Sequence, residues 1–408
     1  FSLKSRPSTC PSHSLSSSQM SGGLRAGVAF VGGRPGTGGA PDGCLSTLGP
    51  WLSSLGGYDA GCLEEVAVGS ASGVRGLRTT RPVDEGQVLL AVPPRAWLSA
   101  ENLLPQELAA TFASEPWDLR LCAGLALALA GLSRGGGTAR RSPRRRDRPG
   151  TELVDAAASA YEDWRPYVAA CLPPTAELEG ALPLLWDAQR LQASSSSRPW
   201  LPPLVRARRA RLERSLLGGG GCWGEAVGTE DVMRAYALMT SRAVRIGAGL
   251  QDFAIVPVVD LANHAPMERR PGLPSANCSL RLLGNGGDDD GSNVGDCGGE
   301  SEALAAARRD GAVALVADRP LGAEEEVLIE YGRYSDARLF LEYGFECSGG
   351  NPYGDGSGAD LFAEGPDQVL SRQAALEAFG TALAWALSLL WAGASSPKSP
   401  PRATGGGS

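Results

Sequence analysis

An α+β domain is the architecture this sequence predicts: a β core interrupted by a long helical insertion and followed by a shorter helical segment. Three observations lead there. Two strand–turn–strand patterns of the same kind stand far apart, one within Gly73–Pro93 and one within Val313–Ile329. An Ala/Leu-rich stretch with few helix breakers, Leu119–Leu132, lies in the sequence between them. Three apolar segments, Val256–His264, Val327–Gly332 and Leu339–Phe345, each end in polar or aromatic groups, which points to one site assembled from strand ends.

Composition narrows the class. The chain has 408 residues, enough for two or three domains with a sizeable core. A hydrophobic content of 43% with 20% charged residues is that of a soluble globular protein. The formal charge of −7 argues against nucleic-acid binding driven by net charge. The nine cysteines are dispersed and none forms a Cys-x-x-Cys pair, so they read as reduced intracellular thiols and give no zinc cluster. His13 and His264 are the only histidines, which excludes a His-rich metal site and leaves His264 as the one histidine of the folded body. The longest apolar run, Gly380–Ala394, is about fifteen residues, short for a membrane span, and reads as a core helix.

Along the chain, residues 1–44 form a leader. Positions 1–41 contain no acidic residue, are rich in Ser and carry Lys4, Arg6, Arg25 and Arg34, which reads as a plastid or mitochondrial transit peptide, with a plain disordered tail as the alternative. The chain begins at Phe1, so either a segment precedes it or Met20 is the start. Leu48, Trp51, Leu52 and Leu55 then follow helical spacing, stopped by Gly56-Gly57. Gly73–Leu77, the Asp84-Glu-Gly86 turn and Val88–Pro93 read as strand, tight turn, strand, and Val313–Val316, Asp318–Glu324 and Val327–Ile329 repeat that pattern as a second hairpin.

The insertion, about residues 100–250, opens with a helical run over Leu119–Leu132. The Arg/Gly/Pro stretch Arg134–Gly150 reads as a solvated loop, or else as a site for an anionic partner. Tyr161, Trp164 and Tyr167 read as packing residues rather than a ligand cage, with Pro166 breaking any helix among them. Thr229-Glu-Asp231 supplies a hydroxyl cap and two acids for a helix whose apolar stripe is Val232, Tyr236, Met239 and Ala243, with Arg242 beside it near the end. Asn285–Gly291 reads as a surface loop, and Asn277-Cys-Ser279 as a chance match to a glycosylation site. Residues 346–408 read as a partial helical lobe over Leu361–Ala394 and a disordered tail.

Several chemistries are excluded. There is no Gly-x-x-x-x-Gly-Lys-Ser/Thr phosphate loop and no Gly-x-Ser-x-Gly nucleophile elbow. What remains is Asp260, Asn263 and His264 at the end of one apolar run, with Tyr331 and Tyr343 closing two others. A tyrosine in that place offers an apolar wall and one hydroxyl. Each residue alone also fits an ordinary place in the core.

The order of the elements changes that balance. Gly73-x-x-Gly76-Leu77, Trp164-Arg-Pro-Tyr167, Ser241-Arg-Ala243, Asp260-Leu-x-Asn263-His264, Tyr331-Gly332 and Leu341-x-Tyr343-Gly-Phe345 occur in sequence. Together, from about Trp51 to Phe345, they resemble the SET-domain protein methyltransferases, and among them the Rubisco large-subunit lysine methyltransferase-like group. The resemblance implies a SET domain over 45–345, made of small sheets with a C-terminal segment threaded as a pseudoknot, and a C-terminal substrate-binding lobe. It implies S-adenosylmethionine as methyl donor and a protein lysine as acceptor. By motif, Arg75, Gly76 and Leu77 would line the cofactor's methionine end. Asn263 and His264 would hold its adenine and carboxylate. Arg242 would sit where cofactor and substrate meet. Asp260, Tyr343 and Phe345 would border the target-lysine channel. Tyr331 would be the catalytic tyrosine and would also touch the cofactor. No metal is implied.

Three departures stand out. Val244 replaces the phenylalanine that usually follows Ser-Arg-Ala, Ile246 replaces an arginine, and the C-terminal lobe is short. The sequence therefore reads as a protein-lysine N-methyltransferase acting on a non-histone, plastid protein. The alternatives are a peptide-binding SET-fold protein that has lost transfer, and a protein-histidine methyltransferase. A monomer in the chloroplast, or otherwise in the cytoplasm or nucleus, with no membrane or nucleic-acid partner, completes the expectation.

Overall fold

The computed structural model describes residues 44–68, 74–135, 161–218, 227–247, 252–284, 301–347, 350–354, 357–358 and 361. The leader, the arginine-rich loop, the Asn285–Gly291 loop and nearly all of the C-terminal lobe lie outside them. Helices and small sheets mix throughout, as an α+β fold requires.

The strands in chain order are β1 Tyr58–Asp59, β2 Leu63–Val68, β3 Val74–Thr79, β4 Val88–Val92, β5 Leu98–Ser99, β6 Ala243–Arg245, β7 Phe253–Ile255, β8 Asn263–His264, β9 Cys278–Leu282, β10 Val313–Ala317 and β11 Glu326–Ile329. They form three sheets, with orders β1-β4-β10-β9, β2-β3-β11-β8 and β5-β7-β6. Among the described strands, only β8 and β11 pair in parallel.

Neither predicted hairpin forms. β3 and β4 belong to different sheets, and so do β10 and β11. The two strand–turn–strand units pair with each other instead: β4 with β10 and β3 with β11, both antiparallel. Their turns meet where Val83 and Leu321 exchange backbone hydrogen bonds of 3.0 and 2.9 Å. The Asp84–Gln87 turn is real, with Gly86 at φ 78. Its outward donors are used across the interface, Gly86 N–H reaching the Ala317 carbonyl at 2.8 Å, so each turn is a corner between sheets.

The first helix spans Cys44–Ser54 and ends before Gly56 (φ 73), as the spacing predicts. Within the insertion, the helices Trp117–Gly135 and Thr229–Arg242 pack against each other and bury Leu125, Leu129, Val232 and Met239. The cap of the second is Gly228 rather than Thr229: the Gly228 N–H donates to Asp231 Oδ2 at 2.9 Å. Pro166 also acts differently from the expectation. It stands in the first turn of helix Arg165–Cys171, where its missing N–H has no intrahelical partner to lose, and so it starts the helix. Tyr161, Trp164 and Tyr167 are buried as expected, and the Trp164 indole donates to the Ala96 carbonyl at 3.0 Å, tying the insertion to the β core.

One large core joins these helices to the sheets. A smaller cluster of Trp186, Trp200, Leu204, Leu341 and Leu361 sits under helix Asp336–Tyr343. The third predicted site segment is thus the end of a helix, not of a strand. It stops at Gly344, whose φ of 82 closes the last turn. Cys62, Cys122, Cys171, Cys278 and Cys347 form no disulfide, and the described residues contain no group that could hold a metal ion and no helix long and apolar enough to cross a membrane. Asn277 is 2% exposed and holds β11 through the Glu326 carbonyl and the Leu328 N–H, at 2.8 and 2.9 Å, so it is no glycan acceptor.

Candidate active site

Val256–His264 is not one continuous strand. β7 ends at Ile255, and Val258 then adopts φ 71, ψ −44. This left-handed region is costly for a β-branched side chain, of order 1–3 kcal/mol. Burial of Val258 at 1% exposure, and bonds from Asp260 N–H to the Val256 carbonyl (3.2 Å) and from Leu261 N–H to the Val258 carbonyl (3.0 Å), hold it there. The reversal folds Val259–Leu261 into a 3₁₀ turn, from which β8 leaves alongside β11, pairing Asn263 with Leu328 and His264 with Ile329. Tyr331 is thereby delivered next to His264.

Asp260 is the buried end of a polar trio. Its side chain is fully buried, and Oδ2 accepts from the Tyr167 hydroxyl at 2.6 Å and from Arg242 Nη1. Its Oδ1 is buried without a hydrogen-bond partner. Burial alone would lower the Arg242 pKa, but the Asp260 carboxylate outweighs it and raises it further, so the guanidinium stays charged.

Tyr331 sits on the other side of the turn. Its hydroxyl donates to the Ala262 carbonyl at 2.8 Å, and its N–H donates to His264 Nδ1 at 3.1 Å. Burial raises the phenol's pKa, Arg242 opposes that, and Asp260 and Glu326 add to it, so Tyr331 is protonated at neutral pH. Its ring lies 4.8 Å from that of Tyr343 and 5.1 Å from that of His264, and Phe345 is 6.0 Å from His264 and 6.1 Å from Tyr343. Four residues singled out from the sequence thus form one aromatic cluster. Burial lowers the His264 pKa to about 4, against the opposing pull of Glu330 and the Ile329 carbonyl, which keeps the imidazole neutral. Its Nε2 is buried and unpartnered.

A cavity of about 1300 Å³ opens beside Tyr331 and Tyr343, with Arg242 and Asp260 also in its wall, while His264 and Phe345 stand behind that wall. That is more room than one small molecule needs. Val244 and Ile246, the two departures from the expected pattern, also line it. Arg245, one position early, is exposed and lies 5.8 Å over the Phe253 ring, which itself stacks on Trp117 at 4.1 Å.

The remaining predicted residues lie outside the cavity wall. Asn263 donates to Glu326 Oε1 at 2.9 Å. Gly76 and Leu77 are buried on β3, the Leu77 side chain wholly within the core. The Arg75 guanidinium closes the carboxyl end of helix Arg165–Cys171, donating to the Ala170 and Cys171 carbonyls at 3.2 and 2.6 Å. Two participants escaped the sequence reading. Tyr167, part of the Trp164-Arg-Pro-Tyr167 motif but given no role at the site, is bonded to Asp260. Tyr334 lines the cavity, its ring 6.4 Å from Tyr343 and covered by the Arg338 guanidinium at 4.1 Å. A tyrosine three residues after Tyr331, just beyond Gly332, was the available signal.

No protein-family model and no curated protein matches the chain. Among solved structures, the SET domain of LSMT bound to lysine and AdoHcy is similar at 19% identity and a TM-score of 0.46, over 74% of this chain and 57% of that one. The same domain bound to MeLysine and AdoHcy gives 18% and 0.47, over 76% and 57%. Rubisco LSMT bound to AdoMet gives 18% and 0.44, again over 76% and 57%. The chain therefore spans little more than half the length of these structures.

Proposed function

We propose that this chain is an S-adenosylmethionine-dependent protein-lysine N-methyltransferase built on a SET-type fold. The observation that carries the proposal is the setting of Tyr331: a buried, protonated phenol anchored on a backbone carbonyl, with the Asn263-His264 strand beside it and a large cavity in front. Of the motifs that resemble the SET methyltransferases, those holding Arg242, Asp260, Tyr331 and Tyr343 meet at the cavity, whereas Arg75-Gly76-Leu77 lies apart from it.

Bound S-adenosylmethionine would supply an electrophilic methyl group. His264 fits a role in holding it, because its buried Nε2 has hydrogen-bonding capacity that no described group uses. Tyr331 spends its own proton on Ala262, which leaves the phenol oxygen as an acceptor. That oxygen and neighbouring carbonyls can orient a methyl group by weak C–H···O contacts.

The acceptor amine must arrive neutral. The aromatic wall of Tyr331 and Tyr343 desolvates it, and desolvation lowers an amine's pKa. Asp260 Oδ1, buried in the cavity wall without a partner, is an acceptor for the amine's N–H. Because Arg242 already neutralises Asp260, this contact holds the amine without stabilising its charged form strongly. Alignment of donor and acceptor in a dry site then accounts for much of the rate.

The test is calorimetric titration with S-adenosylmethionine, followed by labelled-methyl transfer into plastid-stroma and cytosolic extracts. Binding, and label on a lysine of a discrete protein band, is the expected result, and the extract that yields the band reports the compartment. A folded chain with no affinity for the cofactor would overturn the proposal, and label on histidine would correct the acceptor.

A further inference from the structure

Tyr167 lies on helix Arg165–Cys171, in the helical insertion, and is not part of the cavity wall. It is fully buried. A core that needed only aromatic bulk would be served by phenylalanine, yet the Tyr167 hydroxyl donates to Asp260 Oδ2 at 2.6 Å, 93 positions along the chain. Arg242 Nη1 converges on the same oxygen. With both donors on Oδ2 and none on Oδ1, the plane and rotamer of the carboxylate are fixed from two directions.

Asp260 belongs to the 3₁₀ turn Val259–Leu261. Ala262, two residues on, closes that turn with a 3.0 Å bond to the Val259 carbonyl and offers its own carbonyl to the Tyr331 hydroxyl at 2.8 Å. One continuous path therefore runs from the Tyr167 hydroxyl, through Asp260 and the turn, to the Tyr331 phenol. We infer that Tyr167 is a positioning residue: it locks the Asp260 turn so that the Ala262 carbonyl holds Tyr331 in place for transfer. The catalytic part of this inference rests on the methyltransferase reading, whereas the positional part does not.

The molecule carries its own control. Tyr161, six residues earlier, is 2% exposed, and its hydroxyl is buried with no hydrogen-bond partner. Tyr161→Phe and Tyr167→Phe each remove one buried hydroxyl from the same segment, but only the second cuts the path. The experiment uses the full chain labelled with fluorotyrosine, with the Tyr331 fluorine resonance assigned by its loss in Tyr331→Phe. Tyr167→Phe should displace that resonance beyond its linewidth, and Tyr161→Phe should leave it unmoved.

With labelled S-adenosylmethionine and the extract that serves as acceptor for the parent chain, Tyr167→Phe should lower kcat about tenfold, since small misplacements near reacting atoms are costly. KM for the cofactor should stay within about twofold, and Tyr161→Phe should match the parent chain. An unmoved Tyr331 resonance in folded Tyr167→Phe, or equal displacement in both variants, overturns the inference. Should Tyr167→Phe fail to fold, Asp260→Ala removes the acceptor and cuts the path at its next link, and an unmoved resonance there overturns it equally. A parent chain that transfers no methyl group defeats the methyltransferase reading, while the resonance comparison still decides the positional one.

Discussion

Acid should unfold this protein in part through His264. The ring is packed among Tyr331, Phe345 and the β8–β11 pairing, and burial brings its pKa from 6.5 to about 4, with Glu330 the nearby carboxylate working against the shift. In the unfolded chain the imidazole gains a proton below its ordinary pKa, while in the fold it stays neutral down to much lower pH. Unfolding therefore takes up a proton in this window, and stability is fully present above about pH 7 and falls as the pH drops from about 6.5 towards 4. Between about pH 7.5 and pH 5 the two values give a loss of about 2 kcal/mol from this one group. Urea unfolding at those two pH values, for the parent chain and for His264→Gln, isolates it from the carboxylates that titrate in both. The parent chain should lose about 2 kcal/mol more than the variant across the interval. Equal losses in the two proteins would refute the reasoning, because a ring that titrates normally in the fold contributes nothing to the pH dependence.

Three further outcomes are expected. Tyr331→Phe should reduce methyl transfer on the order of a hundredfold, read by label incorporation, with its melting temperature close to that of the parent chain. Glu342→Gln should cost about 3–5 kcal/mol, because it strands the Arg208 guanidinium, which at 3% exposure now makes two hydrogen bonds of 2.7 and 3.1 Å to that carboxylate. Replacing both partners, as Arg208→Met with Glu342→Leu, should cost less than the single change, which thermal denaturation of both variants would show. Gly344→Ala should destabilise by more than about 1 kcal/mol in denaturant titration, since φ is 82 and an added Cβ would lie 2.6 Å from the Ala181 carbonyl.

What the sequence disclosed depended on the range of the interaction. The helices Trp117–Gly135 and Thr229–Arg242 were legible because their cause is local: good helix formers in one and an apolar stripe in the other. Four strands, Val74–Thr79, Val88–Val92, Val313–Ala317 and Glu326–Ile329, were legible too, but their partners were not. Val88–Val92 and Val313–Val316 each carry the apolar content of a buried strand, and nothing local to either says that it pairs with the other rather than with its neighbour across the turn. Pro166 was misjudged because the same missing N–H breaks a helix interior and suits its first turn, and only the position of the start decides. At the site, Asp260, His264, Tyr331, Tyr343 and Phe345 were conspicuous as polar or aromatic ends of apolar runs, and the fold gathers them. Tyr167 hid among packing aromatics, since a phenol's polar role is set by a carboxylate that local sequence does not reveal.

The pairing of the two corner units has a consequence for how the chain is made. Thr79 bonds to the Gly322 carbonyl across 243 positions, and although β3 pairs locally with β2 and β4 with β1, their second partners are the distant β11 and β10. At translation speeds of about 5–20 residues per second, the first unit waits roughly 10–50 s for the second to emerge from the ribosome. The helices of the insertion can form and pack during that interval, because their contacts are closer in sequence. Until then β4, with its Val88-Leu-Leu-Ala-Val92 run, stands as an apolar strand without its main partner, a natural client for a chaperone.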